Sequence, residues 1–237
     1  MRRLIGADLK RILAKPGIYI VMVLMIIWIF LRDAGDTASE EMEYYKLFLN
    51  EICLTFVLVP IYLAVYADEL KSGIMISVIG MGMPRKKIVK AKLQDALYLL
   101  LGTYIILFIA ALIKNSMTDL AITPRQNMFL FVFCIFCVIR GIGIIALSSL
   151  ILFLTMSSAA GMLVLVIAGA GAAGALTAIQ NYTKFPIYDI SFMGLLDGAY
   201  ADFQAGKIGL ALIPALFYLF IVIVINIKIF EKKEMNL

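Results

Sequence analysis

Side chains that could do chemistry are scarce in this chain of 237 residues, and their densest group lies at residues 67–92. We call this segment the connector. It carries Asp68 and Glu69 and six of the 21 basic residues of the chain, namely Lys71, Arg85, Lys86, Lys87, Lys90 and Lys92. Basic residues at this density favour the cytoplasmic face of a membrane.

Catalytic and metal-binding residue types are nearly absent elsewhere. The chain has no histidine, which excludes imidazole bases, histidine metal ligands and Ser-His triads. Its three cysteines, Cys53, Cys134 and Cys137, all fall within apolar runs, where they behave as small hydrophobic residues. Cys134 and Cys137 have the spacing of a metal ligand pair but lack a second pair. We therefore expect no enzyme activity and no bound metal.

Two glycine motifs imitate nucleotide-binding sites. Residues 169–174 read GAGAAG, which matches G-x-G-x-x-G, but that fingerprint requires a βαβ unit. We interpret Gly169, Gly171 and Gly174 as small residues for close helix packing or dimer contacts. Lys207 follows Gly206 as in a phosphate-binding loop, but Ile208 stands where Ser or Thr is required. The sequence predicts no cofactor bound by this chain.

Composition indicates an integral membrane protein. Hydrophobic residues make up 63% of the chain and charged residues 16%, and the mean hydropathy is +1.01. We predict a single all-α membrane domain over residues 1–237, without a cleaved signal peptide or a soluble domain. Its six predicted transmembrane helices are residues 17–31, 47–66, 93–113, 127–155, 159–178 and 208–227.

The segments around these spans have distinct patterns. Five basic residues and the stripe Ile5, Leu9 and Ile12 predict an amphipathic interfacial helix before the first span, with a solvated basic tail as the alternative. Acidic residues at 33–43 suit an outer loop. Aromatic residues at 180–206 predict an outer segment, with a short re-entrant hairpin before the last span. Pro60 predicts a kink in the second span, and Pro84 the first position of a new helix.

Basic residues set the expected orientation. On this topology, 14 of the 21 lie on the side of the connector, six on the opposite side, and Arg140 within the fourth span. Both termini are thus expected in the cytoplasm. An arginine at the centre of a span costs about 3 kcal/mol, which the apolar neighbours outweigh, so Arg140 must face protein or water. It either lines a substrate path or braces the bundle through carbonyls or a carboxylate of another span.

The connector resembles one family. Asp68-Glu69, Ser72-Gly73, residues 82–88 (GMPRKKI) and Lys92 look like the segment between spans two and three of type-2 permeases of bacterial ATP-binding-cassette (ABC) exporters. Pro84 stands where that family usually has serine. The resemblance covers the whole chain, including the basic amphipathic start, six spans, the aromatic segment before the last span and a basic tail.

This resemblance implies a division of labour. The connector would form a coupling helix that docks into a separate cytoplasmic ATPase, which would hold ATP and Mg²⁺. A second permease chain, identical or different, would complete the path, in contact with membrane lipid and not with nucleic acid. The implied location is the bacterial cytoplasmic membrane. The residues expected to contact or position the ATPase, or to begin the third span, are Asp68, Glu69, Lys71, Ser72, Gly73, Pro84, Arg85 and Lys86.

The substrate stays open at this point. Short permeases of this kind resemble those that move amphipathic peptides such as lantibiotics, and others that export ions, lipids or small drugs. Two alternatives belong to other classes. One is a membrane-embedded enzyme, which the lack of histidine and of paired carboxylates in the spans disfavours. The other is a non-transporting membrane anchor or sensor subunit.

Overall fold

The computed structural model describes residues 2–32, 37–118, 120 and 122–232. The described chain is helical and contains no strand, which confirms the all-α prediction. Asp33 and Asp36 of the predicted acidic loop and residues 233–237 of the basic tail lie outside the described residues. The same holds for the side chains of Ile5 and Cys53.

Within the described residues, thirteen α-helices and three π-helical turns follow one another. They are α1 (Arg2–Leu13), α2 (Pro16–Leu31), α3 (Ala38–Leu47), π1 (Phe48–Cys53), α4 (Leu54–Tyr62), π2 (Leu63–Ala67), α5 (Asp68–Lys71), α6 (Ile74–Gly80), α7 (Arg85–Met117), α8 (Pro124–Thr155), α9 (Ser158–Val166), π3 (Ile167–Gly171), α10 (Ala172–Thr183), α11 (Ile187–Ile190), α12 (Phe192–Gln204) and α13 (Leu212–Lys232).

Five helices of the described chain are long and apolar enough to cross a membrane: Ala38–Lys71, Arg85–Met117, Pro124–Thr155, Ser158–Thr183 and Leu212–Lys232. Helix α2 is apolar but has only 16 residues. That length corresponds to about 24 Å, which is less than the roughly 30 Å of a typical hydrocarbon core. The last long helix begins at Leu212, four residues later than predicted, because residues 208–211 are not helical.

The helix Ala38–Lys71 differs most from its predicted span, residues 47–66. It begins at Ala38, since the Thr37 side chain accepts a hydrogen bond from the Glu40 backbone N–H in a capping box. The acidic residues at 40–43 are therefore helical, whereas the sequence predicts a loop there. The helix also continues through Pro60, with π1 before α4 and π2 after it.

Helix α8 lies at the centre of the bundle and packs against α7, α9 and α13. Small and polar residues of α8 make close contacts there. The Ser148 hydroxyl donates to the Gly161 carbonyl at 2.5 Å, and Asn226 of α13 donates to Ser149 at 2.6 Å. Lipid tails are as apolar as leucine, so close packing and hydrogen bonds of this kind hold such helices together.

The connector contains two short helices and the start of α7, and a left-handed glycine follows each short helix. Helix α5 is the last part of the helix Ala38–Lys71, and Gly73 at φ +69° turns the chain into α6. A second turn at Gly82 (φ +84°) leads to α7. Pro84 is extended and is the N-cap of α7, which begins at Arg85, so it precedes the helix by one position and is not its first residue as predicted.

The aromatic segment before the last long helix is itself mostly helical. Helix α10 extends to Thr183 and ends at Lys184, which has a left-handed backbone at φ +59°. Helices α11 and α12 follow, and Gly206 at φ +73° then turns the chain toward α13. We call residues 184–211 the hairpin.

Candidate functional site

Charged side chains of α1, α5 and α7 meet beside α6. The Lys92 ammonium of α7 lies 2.5 Å from Asp8 of α1 and 2.6 Å from Glu69 of α5. Arg11 of α1 donates to the same Glu69 oxygen. Asp95, one turn beyond Lys92 on α7, has its carboxylate 3.8 Å from the Lys92 ammonium. We call these five residues the ion cluster.

The ion cluster is driest at its centre. The Glu69 and Lys92 side chains are 2% and 4% exposed, whereas that of Arg11 is 31% exposed. Next to it, Lys15 and Asp68 form a more exposed ion pair. Buried ion pairs need good geometry and further hydrogen bonds to offset their desolvation. Glu69 has both, because two cations donate to one of its oxygens.

Asp95 has a different environment from the other carboxylates in the cluster. Its side chain is fully buried, and neither of its oxygens has a hydrogen-bond partner in the described structure. With Asp8 and Glu69 it makes three carboxylates against the two cations Arg11 and Lys92. The cluster therefore holds one more acidic group than basic groups, and the poorly partnered member is Asp95.

Helix α6 covers the ion cluster. Ile74, Met75 and Val78 of α6 line a small cavity of about 20 Å³ together with Asp8, Glu69, Lys92 and Ile88. A space of this size is large enough for about one water molecule. Met75 is only 1% exposed. A displacement of α6 would therefore change the packing around Asp8, Glu69 and Lys92, which join α1, α5 and α7.

The residues predicted to contact an ATPase divide into buried and exposed groups. Glu69 belongs to the ion cluster and its side chain is 2% exposed, so of the two expected roles, contact or positioning, its geometry suits positioning of the connector. Arg85 donates to the carbonyls of Phe230 and Glu231 at the end of α13. Exposed residues of the predicted set are Asp68, Lys71, Ser72, Pro84 and Lys86, and Gly73 is partly exposed.

Sequence reasoning missed Met81, which is 78% exposed between the two glycine turns of the connector. A large apolar side chain at the tip of a charged turn is the signal that marks it. Its neighbours Lys86 and Lys87 are also exposed. The outer surface of the connector thus combines an apolar tip with positive charge.

Arg140 forms a second buried cluster near the middle of α8. It lies 16 residues after Pro124, or about 24 Å along the helix. Its guanidinium donates to Asn50 of π1 and to Asp197 of α12, and Tyr188 of α11 donates to the other Asp197 oxygen. Of the two roles expected for Arg140, this geometry matches the brace that uses a carboxylate from another element.

Tyr188 is suited to hold Asp197 in place. Burial raises the pKa of the Tyr188 phenol to about 12, with a further contribution from the hydrogen bond to Asp197. The phenol is accordingly neutral at physiological pH and donates a hydrogen bond to the Asp197 carboxylate. Gln180 of α10 extends the network, since its side chain donates to Asp189 at 3.0 Å and accepts from the Tyr188 backbone at 2.8 Å.

Helix α12 packs along one face of α8. The α8 positions in this contact are spaced four, three, four and three residues apart, as expected for one helical stripe. They are Phe129 against Phe203, Phe133 and Phe136 against Tyr200, Arg140 against Asp197, and Gly143 against Phe192. The hairpin thus reaches from the start of α8 to its middle.

The three glycines of the GAGAAG motif have different surroundings. A Cβ atom on Gly169 would lie 3.2 Å from the Thr55 hydroxyl, so α4 approaches closely there. Gly171 and Gly174 have no heavy atom within 4 Å of such a Cβ. Gly169 therefore packs within this chain, whereas the other two lie on an open face. The motif includes part of π3, which interrupts the helix at residues 167–171.

A further ion pair lies at the opposite end of the bundle from the connector. Lys114 of α7 is 3.0 Å from Glu41 of α3, and both side chains are buried. Nearby, Tyr45 donates to Asn115 at 2.9 Å, and Asn115 donates to Asn127 at 3.1 Å. Glu41 therefore supports the bundle and does not belong to an acidic surface, as the loop interpretation had implied.

Within the described residues, no three His, Cys, Asp or Glu side chains are grouped as a metal site would require. Cys134 and Cys137 are both buried in α8 as free thiols. No protein-family model, curated protein or solved structure matches the chain. Function has to be argued from the geometry above.

Proposed function

We propose that this chain is the permease subunit of an ATP-driven exporter of the ABC type-2 class, and that it works with a separate cytoplasmic ATPase and a second permease chain. The observation that carries the proposal is the contact of α6 with the ion cluster. Helix α6 is short and partly exposed, and three of its apolar residues line one cavity with Asp8, Glu69 and Lys92, the charged side chains that join α5 to α1 and α7. Such an arrangement suits a helix that receives an external force.

The exposed surface of the connector is the proposed docking site for the ATPase. Met81 at its tip would enter an apolar groove, as buried apolar anchors do in protein interfaces. Lys71, Lys86 and Lys87 are also exposed on the connector and would steer the docking of an acidic partner surface. Gly73 and Gly82 give the two sharp turns that hold α6 between α5 and α7.

The ion cluster is the proposed transmission element. When the ATPase moves α6, Glu69 and Lys92 move with it, and Asp8 and Arg11 carry the displacement to α1. Buried ion pairs and packed side chains have few alternative arrangements, so a displacement there is transmitted to whole helices. The expected result is a rigid-body switch of the two permeases between inward-facing and outward-facing states.

The proposed membrane arrangement has six spans, with α2 as the short first span and both termini in the cytoplasm. Helix α1 would lie on the inner leaflet, and the hairpin would re-enter the membrane from the outer side. An amphipathic peptide is the favoured substrate, because the far end of α10 exposes Tyr182 (91%) and Phe185 (59%) near Asp189. Ions, lipids and small drugs are the alternatives on the same architecture.

The testing experiment compares two exposed methionines, Met81 at the end of α6 and Met117 at the end of α7. The full chain is purified in mild detergent from its own membranes, and its partners are identified by mass spectrometry and an ATPase assay. We expect a stoichiometric ATPase that is lost with Met81→Asp and retained with Met117→Asp, whose site is 74% exposed. A chain that purifies without an ATPase under several mild detergents would refute the exporter and favour a non-transporting anchor or sensor.

A further inference from the structure

The hairpin is a compact unit that packs against α8, α10 and α13. Left-handed residues, Lys184 and Gly206, lie at its start and after α12. Its own elements are tightly packed, since a Cβ atom on Gly194 would lie 2.0 Å from the Tyr188 carbonyl oxygen and one on Gly209 would lie 2.7 Å from the Ala199 carbonyl oxygen. A compact unit between two turns moves as a body more readily than it deforms.

Contact between the hairpin and α8 combines aromatic rings with one ion pair. The rings of Phe203 and Tyr200 meet phenylalanines of α8, and the Tyr200 hydroxyl donates to the Phe129 carbonyl at 3.2 Å. Edge-to-face ring pairs of this kind each stabilise the contact beyond the area that they bury. The Arg140–Asp197 pair is directional, and it defines one position of the hairpin along the helix.

The two partners of this ion pair have unequal exposure. The Arg140 side chain is 7% exposed and the Asp197 side chain is 41% exposed. Asp197 is therefore already partly exposed while it is paired. When the hairpin leaves α8, Arg140 keeps its hydrogen bond to Asn50. The pair can open without isolating Asp197, and closure restores a charge-assisted bond to a buried guanidinium.

We propose that Arg140 and Asp197 form a latch that holds the hairpin against α8 and whose release lets the hairpin move as a unit. Tyr188 keeps the Asp197 carboxylate directed at Arg140, and Asn50 keeps the guanidinium in place on the other side. The latch is a property of the isolated chain. It does not depend on whether the chain is a transporter.

The test is hydrogen–deuterium exchange of the full chain in lipid nanodiscs. For Asp197→Asn we expect exchange in residues 187–204 to be about tenfold faster than in the unmodified chain, with unchanged protection in α8 and π1. Asp189→Asn is the matched control, because Asp189 lies on the same hairpin and bonds to Gln180 and not to α8. The control should leave exchange in the hairpin unchanged.

A second variant opens the contact without touching the ion pair. An added Cβ on Gly143 would lie 2.5 Å from the Phe192 ring, so Gly143→Ala should displace the start of α12 and also accelerate exchange in the hairpin. Tyr188→Phe should give a smaller acceleration. Equal exchange in Asp197→Asn and Asp189→Asn would overturn the latch. So would faster exchange spread through α8 and π1, since Arg140 would then be a general brace.

If Asp197→Asn fails to insert and fold, the two other variants decide. Local acceleration in both Gly143→Ala and Tyr188→Phe supports the latch. Unchanged exchange in both overturns it.

Discussion

Lys92 of α7 donates a 2.6 Å hydrogen bond to Glu69 of α5, and both side chains are almost completely buried. The same ammonium bonds to Asp8 of α1 at 2.5 Å. Through this lysine, α7 is therefore joined to the amphipathic helix α1 and to α5 at the start of the connector. The two acidic residues of the connector therefore have different positions: Glu69 is buried in the bundle, and Asp68 is exposed at its surface.

Removal of this lysine should be costly. Lys92→Met leaves Asp8, Glu69 and Asp95 with only Arg11 as a cation, and breaking one side of a buried ion pair typically costs about 3–5 kcal/mol. We expect a loss of that size in the free energy of unfolding in detergent. Lys90→Met is the control, because Lys90 is exposed on the same helix and should change stability by less than about 0.5 kcal/mol. Equal effects of the two variants would contradict the assigned geometry.

Neutralising Asp95 should have the opposite consequence. The ion cluster has three acidic groups for two cations, and Asp95 is the one whose oxygens lack hydrogen-bond partners in the described structure. Asp95→Asn keeps the shape and balances the charges, so stability should stay the same or increase by about 1 kcal/mol. Thermal unfolding of the purified chain measures this. A loss above about 2 kcal/mol would mean that Asp95 forms an ion pair stronger than its 3.8 Å separation from Lys92 indicates.

The left-handed turn at Gly73 gives a prediction about backbone strain. Nothing lies within 4 Å of a Cβ atom built at this position, but its φ of +69° is unfavourable for residues with a side chain. We expect Gly73→Ala to lower the free energy of unfolding by about 1–2 kcal/mol. Gly80→Ala, at the end of α6, should be neutral or stabilising by up to about 1 kcal/mol, because Gly80 is helical and open. Denaturation curves of the two variants would show the difference, and an unstrained Gly73→Ala would argue against this turn.

Close packing between α9 and its neighbours predicts the effect of a single methyl group. A Cβ on Gly161 would lie 2.1 Å from the Tyr62 hydroxyl and 3.0 Å from the Ser148 carbonyl oxygen. Gly161→Ala should therefore cost about 1–3 kcal/mol, as overpacking does elsewhere. Gly174→Ala adds the same methyl group farther along this long helix, where no neighbour is near, and should leave the melting temperature unchanged. A harmless Gly161→Ala would place α9 farther from α4 and α8.

Local signals in the sequence predicted much of the helical architecture. Apolar runs located the long helices, and Thr-x-x-Glu at 37–40 and Thr-x-x-Gln at 123–126 are capping boxes whose sequence pattern also indicates where α3 and α8 begin. The predicted boundaries follow the apolar runs and not these boxes, so they assign residues 40–43 to a loop and begin the fourth span at residue 127. The stripe from Phe129 to Gly143 on α8 is likewise readable from its spacing. These features depend on residues within a few turns of each other.

Partner choice among the charges was decided only by the tertiary structure. Lys92 lies 84 residues from Asp8 and 23 from Glu69, and Arg140 lies 57 from Asp197. Asp189 and Asp202 are on the same segment as Asp197, and nothing local distinguishes the three carboxylates as partners for Arg140. The pairing depends on the rotation and depth of each helix, which follow from packing across the whole bundle. Composition and periodicity therefore determined that the chain forms apolar membrane-length helices, whereas close contact between distant helices determined which of its few charges meet.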